Sequence, residues 1–284
     1  PALWAAASLL WLLDAGNNIT MEPYRAYVAD RLRPEQQSAG FLTQSAFTGL
    51  AQCASYAAPT LLALGGVSTA LGQGNSIPDI VKVAFLIGAV LSITTIVYSV
   101  IRVPEIILPE EERRALAAKS RSPGAILAEI GSALRDMPPS MRRLAVAMFC
   151  QWYAMFLYWQ YVSLAISTSL YGTTEATDPR YLQATLISQQ LGVAYNAVAF
   201  VGALLLIQLV RRSGPERVHA FCLLASGIAM AVIASTADTT LIFAAALGIG
   251  LGWAGMMGNT YAMLARSIPP ERNGVYMGIF NMFI

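Results

Sequence analysis

The chain has 284 residues, 56% of them hydrophobic and only 12% charged, with a net charge of +2 and a mean hydropathy of +0.55. A soluble domain of this length carries about twice that charge, and so balanced a chain has no electrostatic footprint for nucleic acid. Cys53, Cys150 and Cys222 all lie in apolar runs and read as small buried hydrophobes, while His219 stands alone. Neither a metal cluster nor a hydrolase triad can be assembled from that inventory, so no enzymatic activity and no cofactor are expected.

The charges are bunched. Leu144 to Tyr171 and Tyr181 to Val210 contain no Asp, Glu, Lys or Arg, and each exceeds the roughly 20 apolar residues that cross a hydrocarbon core as a helix. Period-2 alternation is absent, so the spans are helices and not barrel strands. In chain order they fall near 3–29, 41–66, 80–102, 144–170, 183–210, 218–236 and 239–265, with another starting near 273. Fifteen of the 18 Lys and Arg residues lie on connections of one side; Lys82 and Arg180 lie on the other, and Arg25 is inside a span. The positive-inside rule makes the rich side cytoplasmic. The longest connection, 103–143, is then cytoplasmic and carries an amphipathic helix with Ile126, Ile130 and Leu134 on one face.

An internal repeat orders these spans. Ala29-Asp30-Arg31-Leu32-Arg33-Pro34-Glu35-Gln36-Gln37 matches Ala265-Arg266-Ser267-Ile268-Pro269-Pro270-Glu271-Arg272-Asn273 at one constant offset, with Ala, Pro and Glu coinciding. The two segments lie six helices apart on the same side, the pattern of a parallel repeat of six-helix halves. Asp30, Arg31, Glu271 and Arg272 sit at cytoplasmic helix ends and read either as gate ion pairs or as solvated surface charges.

The first span holds the costly residues. Asp14, Asn18, Glu22 and Arg25 follow one another at intervals of four, four and three residues, which puts them on one helix face as a polar stripe flanked by Asn17. A charge at mid-membrane costs at least ~2.5–3.5 kcal/mol, so such a stripe faces a wet cavity or its own partners. Pro23 beside it removes one backbone hydrogen bond and is expected to bend the helix. Two carboxylates and one guanidinium leave a net −1 that one proton would neutralise. Asp14 or Glu22 is therefore the expected proton acceptor, with Arg25 pairing to it or gripping substrate. A permanent ion pair locking helices together is the competing reading.

Leu13-Asp14-Ala15-Gly16-Asn17-Asn18, Met21-Glu22-Pro23-Tyr24-Arg25-Ala26 and Ala29-Asp30 resemble the fourth helix of sucrose/maltose–proton symporters, of the glycoside–pentoside–hexuronide:cation group. Met137-Pro138-Pro139-Ser140-Met141-Arg142 resembles that family's approach to its seventh helix. Tyr261-Ala262-Met263-Leu264 with Gly274-Val275-Tyr276-Met277-Gly278-Ile279-Phe280-Asn281 is similar to its tenth and eleventh. The resemblance covers essentially the whole chain and is strongest to the bacterial maltose/maltooligosaccharide branch. It implies an all-α, polytopic major facilitator fold of two bundles. Residues 1–102 then supply helices 4–6, 103–143 the loop between bundles, and 144–284 helices 7–10 and the start of 11. A start at Pro1 and a stop at Ile284 within an apolar run read as a piece cut at both ends. Asp14 and Arg25 match an Asp and an Arg essential in plant sucrose symporters, which lack an acid at the position of Glu22.

The implied substrate is a sugar, whose hydroxyls need donors and acceptors and whose C–H faces suit aromatic rings. Asn18, Arg25, Gln151, Trp152, Gln160, Gln189, Asn196, Asn259 and Tyr261 are the candidate contacts, supported by Tyr153, Trp159, Tyr161, Gln190, Tyr195 and Trp253. Membrane aromatics also serve as interfacial anchors, and deep amides also bond helix to helix. Gly248, Gly250, Gly252, Ala254 and Gly258 read as a close-packing row. The whole reads as a proton-driven disaccharide or oligosaccharide symporter of the cell membrane, a monomer surrounded by lipid, with the proton as coupling ion. A Na⁺-coupled or uncoupled carrier of another polar solute, or a non-transporting sensor or scramblase, is the alternative.

Overall fold

Proline and glycine set the helix ends. In the computed structural model, which describes residues 2–68, 79–103, 109–118, 122–175, 177–269 and 272–283, α1 spans Ala2–Arg31, α2 Pro34–Leu64 and α3 Asp79–Arg102. The short helices α4 (Glu110–Ala118) and α5 (Pro123–Arg135) follow, then α6 (Pro139–Tyr171), α7 (Pro179–Ser213) and α8 (Pro215–Ser235). Next, α9 (Thr239–Ala254) runs through a π-helical turn (Gly255–Asn259) into α10 (Thr260–Ser267), and α11 spans Asn273–Asn281. Among the described residues there is no strand.

Pro139, Pro179 and Pro215 open α6, α7 and α8 at first-turn positions, where a missing N–H costs nothing and φ is already helical. Each of these helices therefore starts three to five residues before its apolar run does. At 33 and 35 residues, α6 and α7 extend to about 50 Å, longer than the roughly 30 Å hydrocarbon core. Gly172 ends α6 in the left-handed region at φ 64°, its N–H reaching the Ser167 and Thr168 carbonyls. The helix α1 continues unbroken through Pro23.

Among the described residues, four helices are long and apolar enough to cross a membrane: Asp79–Arg102, Pro179–Ser213, Pro215–Ser235 and Thr239–Ser267. The other three segments read as spans, α1, α2 and α6, are as long but less apolar. They carry Asp14, Asn17, Asn18 and Arg25, then Gln37, Gln44 and Gln52, then Arg142, Arg143, Gln151 and Gln160. Polarity of that kind belongs on helices that border something other than lipid.

The chain divides into two compact units. The smaller, Ala54–Glu129, contains the end of α2, α3, α4 and the start of α5. No residue of α3 is buried, and Phe85, Leu86, Val90, Leu91, Ile93 and Tyr98 are exposed all round it, which suits a helix in lipid. Glu110 pairs with Arg113 at 2.5 Å and Arg114 at 3.1 Å on α4.

In the larger unit, Pro1–Cys53 with Ile130–Ile284, α9 packs on α7 and α8, α6 on α7 and α8, and α1 on α11. One apolar cluster joins α2, α6, α7, α8 and α9 around Leu42, Met155, Leu191, Ala199, Cys222 and Ile249. A second joins α1, α2, α5, α6, α10 and α11 around Phe41, Met141, Met148, Tyr261 and Phe280. Trp152 packs against both. Exposed Phe149, Phe156, Phe221, Leu224, Ile228 and Leu247 give the outer faces an apolar surface, as a lipid solvent requires. Cys150 is exposed on α6 and not buried as its apolar surroundings predict; Cys53 is half-buried and Cys222 buried. The amphipathic face of α5 also differs from expectation. Ile130 packs inward with Ala133, whereas Ile126 and Leu134 are exposed.

The glycine row is a packing device, and it faces three ways. A Cβ on Gly250 would meet the Tyr195 carbonyl oxygen and lie 2.6 Å from Val198 Cβ, both on α7. On Gly252 it would lie 2.5 Å from Ser226 Cβ of α8, and on Gly258 2.8 Å from Leu42 Cδ2 of α2. Gly250→Val is expected to destabilise the purified intact protein by about 1–3 kcal/mol through overpacking against backbone. Gly227→Ala, with nothing within 4 Å of the added carbon, is the neutral control in the same unfolding measurement.

Outside the membrane segments, Asp178 caps α7, accepting from Arg180 N at 2.8 Å and from its guanidinium at 2.7 Å. The Arg180 side chain, with its backbone N–H, holds the Asp178 carboxyl down at about 2, from 3.8. Because the folded value is depressed, this cap contributes fully above the unfolded value and is lost as pH falls through the folded one. Asp178→Ala should lower Tm at neutral pH, and the gap to wild type should shrink between pH 3.8 and about 2.

Candidate functional site

Polar side chains gather in two places in the larger unit. In the first, α1 meets α10 and α11. Arg25 is buried, with its guanidinium carbon 3.9 Å from the centroid of the Tyr261 ring, a stacking worth about 2 kcal/mol when desolvated. The Tyr261 ring is itself fixed by Phe41 and Phe280, each at 6.1 Å. Further along the stripe, Asn18 Oδ1 accepts from Asn281 Nδ2 at 3.2 Å, while the Asn18 amide donates to the Asp14 carbonyl at 2.9 Å. At the arginine-rich end, Asn273 Nδ2 donates to Asp30 Oδ1 at 2.8 Å. The stripe on α1 is thus answered by an aromatic face and two amides from the repeat-related end of the chain.

The second gathering lies among α2, α6, α7, α8 and α9. Trp152, Trp159 and Trp253 meet edge to face in a triangle, with centroids 6.1, 5.8 and 5.4 Å apart. Trp253 is buried and the other two are half-buried. Spacing builds the triangle: 152 and 159 are two helical turns apart on one face of α6, and Gly250 lets α9 come close enough for Trp253 to complete it. Trp159 Nε1 donates to the Tyr195 hydroxyl at 3.2 Å, and Trp253 Nε1 donates to Gln52 Oε1 of α2 at 2.6 Å. Trp152 Nε1 is buried with no acceptor among the described residues.

Buried amides lie on α6, on α7 and in the π-helical turn. Gln151 Oε1 lies 3.1 Å from His219 Nε2, and its Nε2 lies 3.5 Å from Thr260 Oγ1. Asn259 sits in the π-helical turn, fully buried, with neither amide atom partnered among the described residues. Such turns inside α-helices recur at functional sites. Asn196 donates to the Gly192 carbonyl at 2.9 Å but leaves Oδ1 without a donor among the described residues. A buried polar group left without a partner costs about 1–3 kcal/mol.

The expected residues therefore divide. Arg25 meets Tyr261 and Asn18 meets Asn281; Trp152 meets the other two indoles and Gln151 meets His219 and Thr260, while Asn196 and Asn259 are buried on α7 and in the π-helical turn. Asp14 is exposed on α1, and Gln160 and Gln189 are exposed on α6 and α7. Of the gate residues, Asp30 meets Asn273, Arg31 lies over Tyr27 at 5.1 Å, and Arg272 lies over Tyr276 at 5.5 Å and donates to Ser132 at 3.4 Å. The Glu22 side chain and Glu271 lie outside the described residues. Gln52, His219 and Thr260 join the site without having been expected there. The depth argument that singles out Gln151 applies equally to Gln52, whereas a lone His219 signals nothing in a sequence beyond the want of metal-binding partners. No group of three metal-ligating side chains occurs among the described residues.

The family model described as Major Facilitator Superfamily matches residues 1–284. The chain belongs to the Major Facilitator Superfamily. No curated protein and no solved structure matches it. Facilitators are secondary transporters, and a multi-pass helical membrane protein with many of its polar residues turned inward fits that activity. In a facilitator the substrate is held near the bilayer midplane between bundles.

Proposed function

We propose that this facilitator carries a disaccharide or oligosaccharide in symport with protons. One observation carries the reading. Three indoles in a triangle offer apolar faces to sugar C–H groups, while the amide of Asn259 and the Nε1 of Trp152, unpartnered among the described residues, offer hydroxyl partners in the same region. Asn196 Oδ1, also without a donor among the described residues, extends that set. Sugar hydroxyls would supply bonds that the surrounding side chains leave unmade, which is the condition for discriminating a sugar from an apolar solute.

Coupling belongs to α1. Arg25 is held in place by Tyr261, and Asp14 and Glu22 stand about three turns and one turn before it on the same helix. Proton uptake on either carboxyl removes the net negative charge of the stripe. The loaded carrier then crosses its occluded state at lower electrostatic cost, and the two bundles rock between outward- and inward-facing arrangements.

Tryptophan fluorescence of the purified intact protein tests the substrate class. Maltose or sucrose should give a saturable change in emission, absent with glycine betaine. No response to any mono-, di- or trisaccharide would remove the sugar and leave only the superfamily.

A further inference from the structure

The strongest feature that sugar transport leaves unused is a cleft at the arginine-rich end. It has a volume of about 370 Å³ and lies between α2, α7, the start of α8 and α10, where Glu35, Ser38, Ile207, Arg211, Pro215 and Arg266 line it. Arg211 is in the last turn of α7 and Arg266 in the last turn of α10. Helices from distant parts of the sequence thus bring two guanidiniums to one opening.

Neither arginine has an ion-pair or hydrogen-bond partner among the described residues, and Glu35 is not bonded to either. Two like charges around one cleft repel each other, and an anion between them reverses the sign of that interaction. Ser38, on the same wall, is buried at 6% exposure with its hydroxyl unpartnered among the described residues. The first turns of α2 and α8 open beside it, adding backbone N–H groups with positive partial charge. The residues are at helix ends on the side that the positive-inside rule assigns to the cytoplasm. Basic pockets between membrane helices on that side are where anionic headgroups bind.

We propose that this cleft binds a phosphate group, gripped by the Arg211 and Arg266 guanidiniums. Planar guanidiniums present paired N–H donors that match two phosphate oxygens. Glu35 tunes the charge. One carboxylate beside two guanidiniums leaves a net +1, matched to a singly charged phosphodiester and poorly matched to a phosphate dianion. A glycerophospholipid headgroup is the expected source, with free phosphate the other.

The test uses the intact protein, delipidated in detergent. Native mass spectrometry is used to titrate phosphatidylglycerol and phosphatidylcholine, and thermal unfolding is followed with and without millimolar inorganic phosphate. Wild type should retain phosphatidylglycerol in preference to phosphatidylcholine. The double variant Arg211→Gln/Arg266→Gln should bind it at least about tenfold more weakly. Arg143→Gln, an exposed arginine at the same end but outside the cleft, should bind as wild type does. Glu35→Gln should bind more tightly, a gain that damage to the fold would not produce, so it decides the matter even if the double variant unfolds. A rise in Tm with inorganic phosphate, lost in the double variant, would identify the free anion as the source. Lipid and phosphate binding unchanged in the double variant, or weakened as much by Arg143→Gln, overturns the proposal.

Discussion

Arg25→Lys is expected to reduce gradient-driven sugar uptake by about 10²-fold or more while leaving an inserted, folded protein. The substitution keeps the positive charge, so any interaction that needs only charge survives it. What is lost is the flat guanidinium 3.9 Å from the Tyr261 ring, which a compact ammonium on a flexible stem cannot reproduce. A misplacement of about 1 Å in a group that positions substrate costs rates of that order. Tyr261→Phe retains a ring face and should keep most of the uptake, whereas Tyr261→Leu should behave like Arg25→Lys. Wild-type uptake by Arg25→Lys would show that Arg25 acts as a charge alone.

Trp152 should separate stability from recognition. Trp152→Ala removes the side chain that touches both apolar clusters and is expected to cost about 3 kcal/mol. Trp152→Phe keeps an aromatic ring against Trp159 and Trp253 but loses the Nε1–H together with part of the indole's bulk. Its Tm should fall by much less than that of Trp152→Ala, while its sugar affinity should fall about tenfold for the loss of a buried donor. Equal loss of affinity and Tm in Trp152→Phe would mean that the indole only packs.

The helices were legible because lipid demands long apolar runs, and every expected span coincides with a helix. Their starts were less so, because Pro139, Pro179 and Pro215 begin helices before hydropathy rises. Nothing in Gly255-Met256-Met257-Gly258-Asn259 distinguishes a π-helical turn from an ordinary one in a linear reading. The covered face of α5 escapes the sequence for a related reason: spacing names the faces of a helix, but neighbours decide which face is covered. Ala133, too small to stand out in a periodicity, is fully buried there, while Ile126 is exposed. The stripe on α1 was visible from its spacing alone. That Tyr261, Asn273 and Asn281 would answer it required folding chain separated by more than two hundred residues. The repeat hinted at this, pairing Gln37 with Asn273. In the fold Gln37 bonds back to Ala29 of its own copy, whereas Asn273 crosses to Asp30 of the other. Gln52 is inconspicuous in a helix that lacks the charges of α1, although its Oε1 is the acceptor that α2 contributes to the tryptophan triangle.

Uptake of radiolabelled maltose and sucrose by proteoliposomes of the intact protein, with and without an inward proton gradient, tests the central claim most directly. Sugar transport coupled through α1 predicts accumulation that requires the gradient and disappears when Asp14 and Glu22 are both neutralised. Fluxes that ignore the gradient, or a proton-coupled flux that survives neutralisation of both Asp14 and Glu22, would contradict it.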